Sequence, residues 1–191
     1  KRFSDEKPGR HNMMIWPFVN AFYADACTRT GDYERFTFEL FNLVDLGLNK
    51  GGNDFWEIYD PKDGHPDGGW QTGSHWGGLQ HQTWSATGLL RMVWYGLVGM
   101  RFEDEKLRFE PFLPEEVNSL ELTRLNYGNM ILNVKLEGEG NRIKEFKLNG
   151  IAMDTPEIPQ NLTGEQTVSI VLEKSSGVGV AQLNQDNSFF T

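Results

Sequence analysis

From Gly51 to Trp84 the chain reads GGNDFWEIYDPKDGHPDGGWQTGSHWGGLQHQTW, with neither the period of a helix nor that of a strand. A stretch this long without regular structure is uncommon inside a compact domain, and is usually functional or disordered. Disorder does not fit, because disordered segments are poor in aromatic residues. This one holds Trp56, Trp70, Trp76 and Trp84, four of the chain's six tryptophans, together with His65, His75 and His81. Such a loop demands a rigid scaffold on either side and something to bind.

The flanking text supplies the scaffold. From Met14 to Thr30 the apolar residues Ile15, Val19, Phe22 and Ala26 recur at helical spacing, and Gly31 is a suitable stop. Asp32 caps a second predicted helix through Asn49, with Phe36, Leu40, Leu43 and Gly47 on one stripe. A third runs from Ser85 to Val98, apolar nearly all round, which predicts burial on most sides. Gly88 and Gly96 within it imply close approach of a neighbour. After Met100 the period changes to two. RFEDEKLRFEP reads as a hairpin with a charged tip, and NSLELTRL, NMILNVKLEGEG, RIKEFKLNGIAM and TVSIVLEK read as further strands. In NMILNVKLEGEG, Met130, Leu132, Val134 and Leu136 alternate with Ile131, Asn133, Lys135 and Glu137, so one face is expected to be buried and one wet. The boundary falls at Gly99–Arg101. The expected class is α+β: a helical part over 1–99 with the functional loop 51–84, then an antiparallel β-sandwich over 100–191.

Composition removes several function classes. The formal net charge of −9 leaves no basic footprint for nucleic acid. No apolar run reaches the roughly 20 residues of a membrane span. The single cysteine, Cys27, excludes an intramolecular disulfide and any zinc pattern, and reads as a small core residue. The histidines lack metal-ligand spacing, and the Gly-rich pieces open no phosphate-binding pattern, so neither metal nor cofactor is expected. The opening KRFSDEKPGRHN lacks an initiator methionine, as a processed chain or a piece of a longer one would.

The loop composition suits a sugar. Sugars present flat C–H faces and a rim of hydroxyls. Trp56, Tyr59, Trp70, Trp76 and Trp84 offer platforms for the faces; Asn53, Asp54, Gln71, His75, Gln80 and Gln82 offer partners for the rim. Glycosidic cleavage commonly needs two carboxylates. Among the loop acids, Asp60 before proline and Asp63 and Asp67 before glycine read as turn formers. Glu57, between Trp56 and Tyr59, is the candidate for chemistry. A binding module without chemistry and a structural or interaction protein remain the alternatives.

Three stretches in order resemble the C-terminal part of the six-hairpin, (α/α)6-barrel glycosidases, the group of trehalases, processing α-glucosidases, glycogen debranching enzyme C-terminal domains and α-L-rhamnosidases. RHNMMIWPFVNAFYADACTRTG is similar to the hairpin start that lines the sugar pocket, with Met13 where the family usually has glycine. NDFWEIYDPKDG is similar to the loop that carries the general base, and HQTWSATGLLRMVWYGLVGMRF to the last barrel helix. RFEPFLPEEVNSLELTRLNYGNMILNVKLEG resembles the β-sandwich that follows the barrel in several of these families.

The resemblance implies a partial (α/α) helical-hairpin toroid of about three helices ahead of the sandwich. It makes His11, Asn12 and Trp16 substrate-binding residues and Glu57 the general base of an inverting α-glycosidase. The general acid would lie upstream in the same polypeptide, so this chain alone would be inactive and would bind sugars poorly. Enzymes of this kind are often secreted or periplasmic, the compartment the resemblance favours.

Overall fold

The structure is a computed structural model that describes residues 7–175. The opening KRFSDE and the chain beyond Ser175, which belong to the spans 1–99 and 100–191 above, lie outside the described residues. The fold is mixed α+β. Three helices come first: α1 (Pro17–Thr30), α2 (Tyr33–Asp45) and α3 (Thr83–Arg91). A two-stranded ribbon, β1 (Trp70–Gln71) with β2 (Ser74–His75), lies in the long loop before α3.

Local chemistry explains where the helices begin and end. Pro17 opens α1, where its missing N–H costs nothing. Gly31 closes it at a φ of 77°, a left-handed value that glycine adopts freely. The Asp32 side chain accepts the Arg35 N–H and caps α2. Both α2 and α3 run on into a widened turn, Leu46–Lys50 and Met92–Leu97. There Gly51 N–H reaches Leu46 O, and Val98 N–H reaches Val93 O, each five residues back.

The buried stripe of α2 is the expected one, with Phe36, Leu40, Leu43 and Gly47 all inside. On α1 the helix stands where the period placed it, but its buried face is a different one. Val19, Phe22 and Ala26 face outward and Ile15 is half-buried, whereas Pro17, Ala21, Ala24 and Thr28 are buried. Both sets recur at spacings of four, three and four, so period alone cannot choose between them. Small residues win because α3 approaches closely: a Cβ added at Gly88 would lie 3.3 Å from the Ala21 Cβ and 3.1 Å from Pro17 O. The third helix is also less enclosed than expected, since Trp84, Thr87 and Leu90 are exposed.

Strands begin at Met100. β3 (Met100–Glu103) and β4 (Lys106–Phe109) form the expected charged-tip hairpin, and β9 (Glu157–Pro159) adds to β4. A five-stranded sheet has the order β5 (Ser119–Tyr127), β6 (Met130–Gly138), β10 (Gly164–Glu173), β7 (Arg142–Leu148), β8 (Ile151–Ala152). On β6 the alternation holds, with Met130, Leu132, Val134 and Leu136 buried. The antiparallel expectation needs one correction: β10 runs parallel to β6 and antiparallel to β7. Because β6 and β7 point opposite ways, a strand inserted between them must be parallel to one.

Helices and sheets share one continuous core. Phe112 stacks on Tyr33 at 4.4 Å and meets Phe36 edge-on at 5.9 Å, while Phe109 and Phe146, 5.6 Å apart, link the two larger sheets. The long loop therefore springs from a packed body.

Candidate functional site

The loop from Gly51 to Gln82 is fastened rather than free. Ile15 and Tyr59 exchange two backbone hydrogen bonds of 2.9 and 3.0 Å, which pins the segment before α1 to the middle of the loop. Trp70 N–H donates to Pro8 O and Arg10 N–H to Trp70 O, so residues 8–10 run alongside β1. Glu57 N–H donates to Leu79 O, and Gln82 N–H to Phe55 O, drawing the two ends of the loop together. The sequence before α1 and the loop thus build one surface.

At its centre Arg10 Nη2 meets Glu57 Oε2 at 2.5 Å, with Glu57 only 7% exposed. Arg10 Nη1 donates to Gly68 O at 2.8 Å. The guanidinium lies over the Trp16 ring at 5.6 Å and the Trp76 ring at 5.7 Å, within cation–π range of both. Trp16 Nε1 donates to Arg10 O at 2.9 Å. His11 stacks on Trp16 at 5.7 Å, and Trp84 meets Trp16 edge-on at 6.0 Å. Phe18 backs Trp84 at 4.8 Å in a near-parallel stack.

The structure thus gathers Glu57, His11, Trp16, Trp76 and Trp84 around a residue that sequence reasoning passed over. Arg10 stood in the quoted stretch, but a single cation in a polar opening gives no sign of burial. Trp76 and Trp84 keep 48% and 42% of their surface exposed and present open rings. Asn12 sits exposed on the turn that Met13 N–H closes onto Gly9 O. Gln82 stands at the start of α3 with its amide on Gln80 O.

The other expected platforms lie elsewhere. Trp70 and His75 pair with each other, ring centroids 5.5 Å apart, beside Asp67, which His75 Nε2 approaches at 2.9 Å. Trp56 is half-buried, its Nε1 on Gly51 O at 3.2 Å. Tyr59 is a correction: its side chain is fully buried and its hydroxyl accepts the Trp56 N–H. Burial pushes that hydroxyl's pKa up. It offers no surface to a ligand because the loop folds over it.

The loop carboxylates separate cleanly by what they bind. Asp54 accepts the N–H of Phe55, Asp60 that of Lys62, Asp63 that of His65, and Asp67 that of Gly69. These four hold turns. Glu57 is bound by a side chain instead. Ligand atoms of Asp60, Asp63 and His65 lie within 4.8 Å of one another, but Asp60 Oδ1 and Asp63 Oδ1 are already taken by backbone N–H groups. The His65 N–H and ring hold the Asp63 carboxyl below its ordinary value, and Asp63 in turn raises the His65 pKa. Burial pushes Asp67 up, but Gly69 N–H and His75 outweigh it and bring it below its ordinary value.

Among the described residues no helix is long and apolar enough to cross a membrane. Residues 100–151 match a family model described as glycosyl hydrolase family 65, C-terminal domain. That span runs from β3 to the first residue of β8 and is similar to a domain of glycoside hydrolases, whose substrates are carbohydrates. No curated protein matches the chain.

Proposed function

We propose that this chain is the C-terminal part of a glycoside hydrolase that cleaves an α-glycosidic bond with inversion, and that Glu57 is its general base. In that reaction a water O–H proton passes to Glu57, the water oxygen bonds to the anomeric carbon, and the bond to the leaving oxygen breaks. An upstream acid returns a proton to that oxygen, so the products are two free hydroxyls. Inverting pairs stand about 6.5–9.5 Å apart to admit the water.

The observation that carries the reading is the division among the loop carboxylates. The four aspartates named above hold backbone turns, while Glu57 is bound by Arg10, which lies over Trp16 and Trp76, with no backbone N–H on its carboxylate among the described residues. The likeness of residues 100–151 to a glycosyl hydrolase C-terminal domain supports the substrate class. The outward apolar face of the helices supports the split. Phe22 is 57% and Phe38 67% exposed, as expected of hairpins from a larger (α/α) toroid whose other helices belong to the upstream part of the same polypeptide.

The test is hydrolysis of α-linked disaccharides and aryl α-glycosides by the whole open reading frame, its Glu57→Gln variant and this chain alone. General base catalysis is worth about 10²–10⁴-fold, so Glu57→Gln should cost that much in kcat. Full activity in Glu57→Gln would remove the assignment. A second reading, a carbohydrate-binding surface without chemistry, is favoured by the open rings of Trp76 and Trp84 beside a nearly buried Glu57. It requires Trp84→Ala to weaken glycan binding while Glu57→Gln changes nothing.

A further inference from the structure

We infer that Arg10 is a positioning residue for Glu57, an inference that rests on Glu57 being the base. The guanidinium is fixed in every direction that matters. Its two Nη atoms go to different partners, Gly68 O and Glu57 Oε2, which sets the plane of the group. It also lies over the Trp16 and Trp76 rings at 5.6 and 5.7 Å, within cation–π range of both. Its own backbone is tied on both sides, N–H to Trp70 O at 3.0 Å and C=O to Trp16 Nε1 at 2.9 Å. A carboxylate bound by such a group inherits its orientation. With Oε2 held, Oε1 is the oxygen that takes the proton from water.

The same side chain joins the base to the substrate platforms. Arg10 grips Gly68, and the next residue's carbonyl, Gly69 O, accepts the Trp76 N–H at 2.9 Å. Gly68 is required there: a Cβ would lie 2.0 Å from Trp76 O. Arg10 therefore sets Glu57 in register with Trp16 and Trp76 together. Only a planar fork can do this. A lysine keeps the charge but carries one nitrogen, which cannot hold Gly68 O and Glu57 Oε2 in one fixed plane.

The experiment is a double-mutant cycle in the enzyme expressed from the whole open reading frame, with Arg10→Lys, Glu57→Gln and the pair. Misplacing a reacting group by about 1 Å can cost on the order of 100-fold, so Arg10→Lys should lower kcat by roughly 10–100-fold with KM unchanged. In the Glu57→Gln background the same substitution should cost nothing further. Arg10→Gln, which keeps a hydrogen bond without the charge, serves as the second variant should Arg10→Lys fold poorly, and it should follow the same pattern. An equal loss in both backgrounds would make Arg10 scaffold only, and wild-type kcat in Arg10→Lys or Arg10→Gln would overturn the inference outright. If Glu57→Gln itself keeps full activity, the assignment of the base fails, and the inference falls with it for a separate and recognisable reason.

Discussion

The Tyr59 hydroxyl accepts the backbone N–H of Trp56 at 2.9 Å, from a side chain that is fully buried. This bond closes the loop over its own core and lets the intervening Glu57 turn toward Arg10. Removing the hydroxyl leaves the Trp56 N–H without its partner, which typically costs about 1–3 kcal/mol. Tyr59→Phe should therefore lower the unfolding free energy by that amount, read as a lower urea midpoint at unchanged slope, while leaving glycan affinity unchanged. Lost affinity at unchanged stability would return Tyr59 to the ligand surface.

Much of this layout was legible in the sequence. Period two after Met100 gave the strands, and the cap at Asp32 and the stop at Gly31 bounded the first two helices. Turn chemistry at Asp60, Asp63 and Asp67 sets Glu57 apart in the sequence itself. What stayed hidden depends on long-range partners. The stripe of α1 could not be chosen because Pro17-Ala21-Ala24-Thr28 has the same spacing as Ile15-Val19-Phe22-Ala26. The parallel placement of β10 is set by where it inserts, and strand periodicity carries no such address. Arg10 meets Glu57 from 47 positions away, so no local pattern marks it as buried.

The two glycines of the third helical segment should respond differently to alanine. At Gly96 a Cβ would lie 2.3 Å from the Phe36 ring, which is itself fully buried and has nowhere to go. Overpacking of this kind costs about 1–3 kcal/mol. At Gly88 the nearest atoms are 3.1–3.4 Å away, and alanine gains roughly 1 kcal/mol of helix propensity in compensation. Thermal unfolding should show Gly96→Ala well below the parent and Gly88→Ala close to it. A reversed order would mean that α1 leaves no room at Gly88 and that the Phe36 ring yields at Gly96.

The His65 cluster gives the loop a pH dependence whose sign can be worked out. His65 is raised above its ordinary 6.5 chiefly by the hydrogen bond its ring donates to the Asp63 carboxylate. Its contribution is therefore complete below that value and is lost as pH rises through the folded-state pKa. Asp67 is lowered from 3.8, so its contribution is present above that value and is lost as pH falls through its folded-state pKa. The loop pins are thus strongest between the two ordinary values. Urea midpoints should fall modestly on going from pH 6 to pH 8, since half-exposed pairs of this kind are worth little. His65→Asn should flatten that slope, and an unaltered slope would assign it to other groups.

The last expectation concerns the outward helical face. Val19, Phe22 and Tyr23 on α1, Phe38 and Phe41 on α2, and Leu90 on α3 are all exposed. Beside them, Phe18, Phe22, Trp84, Gly88 and Arg91 line a groove of about 520 Å³ between α1 and α3, with the Arg91 guanidinium over the Phe22 ring at 4.7 Å. Exposed apolar patches beyond a few hundred Å² are uncommon on monomeric proteins and mark contact surfaces. The isolated chain should therefore self-associate at concentrations where the product of the whole open reading frame does not. Phe22→Ser with Phe38→Glu should restore the monomer in sedimentation without lowering the melting temperature, because neither side chain belongs to the buried core. If both forms are monomeric without the substitutions, nothing from upstream is needed to cover these helices, and the reading of the chain as part of a larger helical toroid loses its main support.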